Sequence, residues 1–278
     1  MPTHTDSHDA WTLTYDTWDP AQQPLREALC TLGNGYFATR GAAEEAKAGG
    51  PHYPGTYLAG GYNRLESEVS GRIVENEDLV NWPNWLCLSF RPEGGDWFQL
   101  GAVEVLDFRQ SLDLRRGVLE RRVRFRHADG RETSLVSRRL VHMGNPHLAA
   151  IQWVLTAENW SGRVEIRSAL DGTVSNQGVQ RYRALNSQHL EVLEAGRVGE
   201  DGVYLSVQTN QSHIRMVQAA RTQVFLDGER APLERQTKGE GGVAEQRLFV
   251  ECRREKPLRV EKVVAVYTSR DFAISEPT

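Results

Sequence analysis

Between Gly101 and Tyr267 apolar and polar residues alternate in short runs, and the period is two. In residues 121–126, Arg122, Arg124 and Arg126 fall on one face and Val123 and Phe125 on the other, the pattern of a half-buried strand. His127-Ala128-Asp129-Gly130 follows, and Asp-Gly predicts a hairpin that returns through residues 132–142. Residues 148–155 are mostly apolar, which predicts a strand buried on both faces. Beyond a turn at 157–162, Val164, Ile166, Ser168 and Leu170 alternate with Arg163, Glu165 and Arg167, and Asp171-Gly172 predicts a second hairpin turn. Further strands are predicted at 203–208, 214–219, 222–226, 246–252 and 260–267. A short helix is predicted at 24–32, where Leu25, Ala28, Leu29 and Leu32 share a face. The regular recurrence of turn signals predicts an all-β sandwich or barrel, not alternating β-α units, and no fixed-period repeat is present.

The first hundred residues differ in kind. Glycine, asparagine, proline, tyrosine and tryptophan crowd there, including Trp11, Trp18, Trp82, Trp85 and Trp97, and clean alternation is scarce. Such a stretch predicts loops, which on a rigid scaffold often carry binding. The 278 residues carry a net charge of −4 with 39% hydrophobic and 25% charged residues, an ordinary globular composition. No apolar run approaches the ~18 residues of a membrane helix. Residues 1–9 are polar, unlike a secretory leader. A slightly acidic chain argues against nucleic acid as a partner. Cys30, Cys87 and Cys252 are dispersed, which argues against a disulfide framework or a zinc site and suggests a reducing, cytoplasmic compartment.

Several segments carry candidate chemistry. Asn81-Trp82-Pro83-Asn84-Trp85 and the stretch from Pro54 to Asn63, with Tyr57 and Tyr62, combine aromatic rings with amides, the groups that stack on and hydrogen-bond to sugars. Composition favours a packing role for these rings. The spaced glycines of residues 33–41 form neither a P-loop nor a dinucleotide fingerprint; they predict a turn with positive φ, with Arg40 pairing to a local carboxylate or carbonyl. Glu44-Glu45, Glu75, Glu77-Asp78 and Asp171 supply carboxylates, which hydrolysis of a glycosidic bond needs in pairs, but each reads as a surface acid. His142 and His147 flank a turn without a third ligand, so no metal site is expected. Arg115-Arg116, Arg121-Arg122 and Arg138-Arg139 read as solvated strand faces.

Leu32-Gly33-Asn34-Gly35-Tyr36-Phe37-Ala38-Thr39-Arg40-Gly41 resembles the opening motif of glycoside hydrolase family 65, which includes maltose, trehalose and kojibiose phosphorylases and acid trehalases. Tyr53-Pro54-Gly55-Thr56-Tyr57-Leu58-Ala59-Gly60, Leu79-Val80-Asn81-Trp82-Pro83-Asn84-Trp85, Leu112-Asp113-Leu114-Arg115-Arg116-Gly117-Val118-Leu119, Asn159-Trp160-Ser161-Gly162 and Ser168-Ala169-Leu170-Asp171-Gly172 follow in the family's order. The resemblance spans essentially the whole chain. It implies a large two-sheet antiparallel β super-sandwich similar to galactose mutarotase, with few short helices, over residues 1–268. Residues 269–278 would begin a linker to an (α/α)6 barrel beyond this sequence, where the catalytic Glu and the phosphate-binding groups would lie. No catalytic residue is therefore assigned in this chain. The resemblance also implies no cofactor (inorganic phosphate being the co-substrate of a phosphorylase), a disaccharide substrate for the whole protein, the barrel as partner, and room for a homodimer. Tyr36, Arg40, Tyr57, Tyr62, Asn81, Trp82 and Trp85 are the candidates for shaping the barrel's cleft or the domain interface. Two other readings are a free-standing carbohydrate-binding module, which needs an exposed aromatic platform, and a mutarotase-like epimerase. The epimerase would need a His, from among His142, His147, His189 and His213, converging with a Glu on a concave face.

Overall fold

The computed structural model describes residues 10–176 and 185–271. The chain opens with β1 (Thr12–Tyr15), helix α1 (Gln23–Leu29) and three short strands, β2 (Leu32–Gly33), β3 (Phe37–Thr39) and β4 (Thr56–Leu58). A hairpin of β5 (Tyr62–Val69) and β6 (Arg72–Leu79) follows, then β7 (Leu88–Pro92). The alternating region supplies β8 (Glu104–Asp113), β9 (Val118–Arg126), β10 (Glu132–Val141), β11 (Leu148–Ala157) and β12 (Gly162–Asp171). The last third holds β13 (Leu190–Val198), β14 (Gly202–Thr209), β15 (Arg215–Leu226), β16 (Glu229–Arg230), β17 (Glu234–Glu240), β18 (Val243–Cys252) and β19 (Pro257–Thr268).

A ten-stranded sheet runs β1-β8-β9-β10-β11-β19-β15-β14-β13, with β16 added to β15. A four-stranded sheet, β17-β18-β12-β7, packs on its inner face, and β2-β3-β4 and β5-β6 form smaller sheets. The pairings are antiparallel, giving the expected all-β sandwich. Alternation decides which side chains enter the core: Leu119, Val123 and Phe125 from β9, Leu135 and Val141 from β10, and Ile151, Trp153 and Leu155 from β11 are buried.

The inner face of the large sheet is not uniformly apolar. Gln110, Arg121, Ser137, Arg139, Thr222 and Lys262 occupy inward positions and form a buried polar belt across it. Gln110 and Ser137 both stand opposite Arg121, Ile151 stands opposite both Arg139 and Lys262, and Lys262 stands opposite Thr222. At one end the belt stitches the two sheets together. Lys262 Nζ donates to Ala169 O at 2.7 Å and Cys87 O at 3.1 Å, and the Ser168 and Thr222 hydroxyls lie 2.8 Å apart. Burial pulls the Lys262 amine down to about 7.

Several expectations are corrected. The segment 214–226 is one continuous strand, β15, in place of two. Asp171-Gly172 makes no hairpin: the Asp171 carboxylate instead accepts from Thr173 N and Oγ1, and Gly172 N bonds Gly242 O. The outer face of β11 is only half-buried, because it lies open beside Arg138 and Glu261 on its neighbours. Helix α1 is turned inside out. Leu25 and Leu29 are 56% and 51% exposed, while Gln23 and Glu27 are buried. Arg121 and Arg139, read as solvated, are buried at 5% and 2% exposure. Residues 62–79, read as loop, form a hairpin whose turn needs positive φ at Ser70 (53°) and Gly71 (75°). Of the predicted linker, residues 272–278 lie outside the described residues, as do 1–9.

The buried Lys262 makes stability depend on pH. Below about pH 7 the amine is charged in both folded and unfolded chains, and its burial cost is borne in full. Between there and the ordinary lysine value of 10.5, the unfolded chain holds a proton that the folded chain does not, so stability climbs as pH rises. Denaturant unfolding of Lys262→Met should lack this climb, the wild-type slope exceeding the variant's by up to about 1 kcal/mol per pH unit. Parallel curves for the two proteins would contradict the assignment.

Candidate functional site

The glycine-rich segment 32–41 turns sharply because Asn34 bonds its own backbone. Its Oδ1 accepts from Tyr36 N at 3.1 Å and Phe37 N at 3.2 Å, while its Nδ2 donates to His142 O at 2.8 Å and Pro146 O at 2.9 Å. The turn thus docks on the loop between β10 and β11 and aims Tyr36 at the end of β19. Tyr36 Oη donates to the Asp271 carboxylate, 2.8 and 2.9 Å from its two oxygens, and Asp271 also accepts from Thr268 N at 2.7 Å. The Tyr36 ring meets His147 edge-on at 4.6 Å, and His147 stacks on Tyr267 at 4.2 Å. Arg270 donates to Gly60 O. Burial, reinforced by Asp271, pushes the Tyr36 hydroxyl well above its ordinary value, so it stays a protonated donor.

Tyr36, Tyr57 and Tyr62 line one shallow groove of about 260 Å³ beside this latch. Arg40 serves a different contact: Nε donates to Tyr53 O at 2.9 Å and Nη2 to Pro24 O at 3.0 Å, with Glu27 3.9 Å away. Asn81 is buried and stitches backbone, accepting from Thr56 N at 3.0 Å and donating to Ser175 O at 3.3 Å. Trp82 and Trp85 are 0% exposed. Neither ring offers a face to a sugar; both are core. The seven candidates therefore separate into three tyrosines at a groove, one arginine that ties α1 to the segment after β3, and three buried residues.

The deepest electrostatic feature lies elsewhere, on the polar belt. Arg121 grips Glu45 through two bonds of 2.6 Å and reaches Glu44 Oε2 at 2.9 Å. Ser137 donates to Glu44 Oε1 at 2.9 Å, and Arg139 donates to Ala42 O at 2.9 Å. Burial works to raise the Glu44 carboxyl, but Arg121 and Arg139 outweigh it and hold it below the usual range. Gly41 lets the chain pass close beside Cys30 at the end of α1, since a Cβ there would stand 2.5 Å from Cys30 Cβ. Under α1, Glu27 is 1% exposed and accepts from Tyr53 N at 2.9 Å, while His52 Nδ1 lies 2.8 Å away. These contacts, with Arg40 3.9 Å away, explain the inverted helix: an inward carboxylate finds polar partners that an apolar residue would leave unpaired.

The other acids and histidines are separate. Glu75 and Glu77 pair with Arg64 on the exposed hairpin. His189 sits buried between Asn63 and Asp78, at 3.1 and 3.4 Å. His142 Nδ1 accepts from Gly144 N and Asn145 N, and His213 neighbours Gln208. Among the described residues no His/Cys/Asp/Glu group suited to a metal occurs. The period-two pattern of β9 would have placed Arg121 inward with Val123 and Phe125; nothing local in sequence marks Glu27, His52 or Lys262.

Comparison identifies the family. The family model for the glycosyl hydrolase family 65 N-terminal domain matches residues 13–278, and the chain belongs to that family. An uncharacterized glycosyl hydrolase of Mycobacterium tuberculosis is 45% identical over 95% of this chain and 20% of its own length. A kojibiose phosphorylase of Caldanaerobacter subterraneus is 30% identical over 94% of this chain and 33% of its own. A trehalose 6-phosphate phosphorylase of Lactococcus lactis is 29% identical over 93% and 32%. The fold is shared by the solved structure of a "Putative kojibiose phosphorylase from human microbiome", with a TM-score of 0.78 at 18% identity over 93% of this chain and 32% of that one. The chain spans about a fifth to a third of these relatives.

Two substitutions separate the roles. Trp82→Ala should cost about 3–5 kcal/mol, as loss of a fully buried ring does. Tyr36→Phe should cost about 1–3 kcal/mol, the loss of a bond to a charged acceptor. It should also release residues 268–271, read as faster amide exchange at Thr268. A Trp82→Ala protein as stable as wild type, or unchanged Thr268 exchange in Tyr36→Phe, would contradict these placements.

Proposed function

We propose that this chain braces the catalytic barrel of an inverting family 65 phosphorylase that cleaves a glucosidic disaccharide. The observation that carries the reading is the Tyr36 latch: the family's opening motif closes on Thr268–Asp271, the stretch from which the chain would lead into the barrel. A rigid exit fixes the angle between the two parts, and the groove of Tyr36, Tyr57 and Tyr62 beside it would face the cleft mouth. The phosphorylase names of the relatives support phosphate as the nucleophile.

In that reaction a barrel Glu protonates the glycosidic oxygen while phosphate attacks the anomeric carbon from the opposite face. Phosphate is already anionic, so no separate base is needed. The buried Glu44 carboxylate is a poor proton donor. Glu44 is held ionised by Arg121 and Arg139, and Glu45 is clamped by Arg121. This also weighs against a mutarotase-like role, whose carboxylate must exchange protons. A cytoplasmic homodimer without an organic cofactor fits the same reading.

The test is phosphorolysis by the full-length protein and by the 278-residue chain in parallel, with kojibiose and with trehalose 6-phosphate plus phosphate. Glucose 1-phosphate should appear with the full-length protein and not with the chain. Turnover by the chain alone, or a full-length protein that releases only free glucose, would overturn the proposal.

A further inference from the structure

We infer that this domain carries a sugar-binding site of its own, in the cavity between α1, the segment 43–52, residues 99–102 and the middle of β8. The cavity has a volume of about 530 Å³, within the usual range of small-molecule sites. One wall is aromatic, formed by the half-buried Trp18 with Phe108 beside it. The rest of the lining is partly polar and comes from deep in the fold: Gln23, Glu45, Gln110 and Arg121 all line it, and each is at least nine-tenths buried.

These polar groups are incompletely used. Gln23 donates its amide to Asp19 O at 3.1 Å and Gln110 donates to Cys30 Sγ at 3.4 Å, and the amide oxygen of each has no partner among the described residues. His52 also lines the cavity. Its Nδ1 is committed to Glu27 at 2.8 Å, which leaves Nε2 as the ring nitrogen for a ligand. Two open amide acceptors and one imidazole nitrogen suit hydroxyl groups, which both donate and accept.

The electrostatics select among ligands. Glu44 and Glu45 balance Arg121 and Arg139, so the buried floor presents no net charge to an anion or a cation, and the other formal charge of the lining, Lys47, sits on an exposed, hydrated residue. A purely apolar guest would strand the amides. A neutral polyol with one apolar face meets both conditions, and a pyranose is such a molecule: its C–H face lies on Trp18 and its hydroxyls reach Gln23, Gln110 and His52. A single ring of about a dozen heavy atoms binds such a site with a dissociation constant of millimolar order. The inference rests on this cavity alone and holds whether or not the chain braces a phosphorylase barrel.

The test is titration of the 278-residue chain with D-glucose, followed by saturation-transfer NMR, with inorganic phosphate as the anionic control. Saturable binding is expected for glucose and not for phosphate. Trp18→Ala removes the platform and should weaken binding at least about tenfold, with Trp18→Phe restoring most of it. Gly101→Leu provides a second variant. A Cβ at Gly101 meets only Trp18 within 4 Å, so the side chain fills the cavity without straining the backbone, and it too should weaken binding about tenfold. Absence of saturable glucose binding, equal affinity in wild type and both blocking variants, or preferential binding of phosphate would overturn the site.

Discussion

The structure depends on charge neutralisation inside the sandwich. Arg121 is buried, and only the paired carboxylates of Glu44 and Glu45 make that burial tolerable. The pairing does more than satisfy an arginine. It draws the segment after β3 across the inner face of the large sheet, beside β7, whose Leu88 N donates to Glu44 O at 3.1 Å. Once that segment is fixed, His52 and Tyr53 reach Glu27 and set α1 with its polar side inward. The helix, the opposing loop and the sheet then enclose the cavity whose floor is the same ion cluster. At the other end of the belt, Lys262 performs the comparable task for the small sheet, pinning Ala169 and Cys87 through their carbonyls.

Both ends of the belt serve position rather than net stability. Apolar residues of similar volume would give a core at least as favourable, because desolvating charges offsets most of their attraction. What the charges supply is specificity of register: a one-residue slip of β9 would turn Arg121 to solvent and break its bonds to Glu44 and Glu45. By contrast, the outer face of β9 and β10 carries a ladder of exposed pairs, such as Arg124 with Glu132 and Glu158, whose individual worth is small.

Much of the sandwich was legible because a two-residue period is written directly by burial on one face. The strands around residues 121–170 and 246–267 emerged from that period, and the motif beginning Leu32-Gly33-Asn34 pointed to the family. Failures arose where a side chain's chemistry disagreed with its position. Arg121 and Arg139 sit at apolar phases of β9 and β10, yet their charge suggested solvent. Leu25 and Leu29 suggested an inward face, but Glu27 had partners thirteen and more residues away that no local pattern discloses. Trp82 and Trp85 carried the composition of a sugar platform, and only the packing of distant segments shows them enclosed. The cavity is invisible for the same reason: Trp18, Gln23, His52 and Gln110 are brought together by the fold alone.

The most direct measurement is denaturant unfolding of a set built on the ion cluster: Arg121→Met, the pair Glu44→Gln and Glu45→Gln, and the combined triple variant. Removing the arginine alone should cost about 3–5 kcal/mol, because Glu45 loses its cation and Glu44 keeps only Arg139, 3.6 Å away, and the triple variant should recover a large part of that loss. A single variant within about 1 kcal/mol of wild type, or a triple variant whose cost is the sum of its parts, would contradict the central role of this cluster.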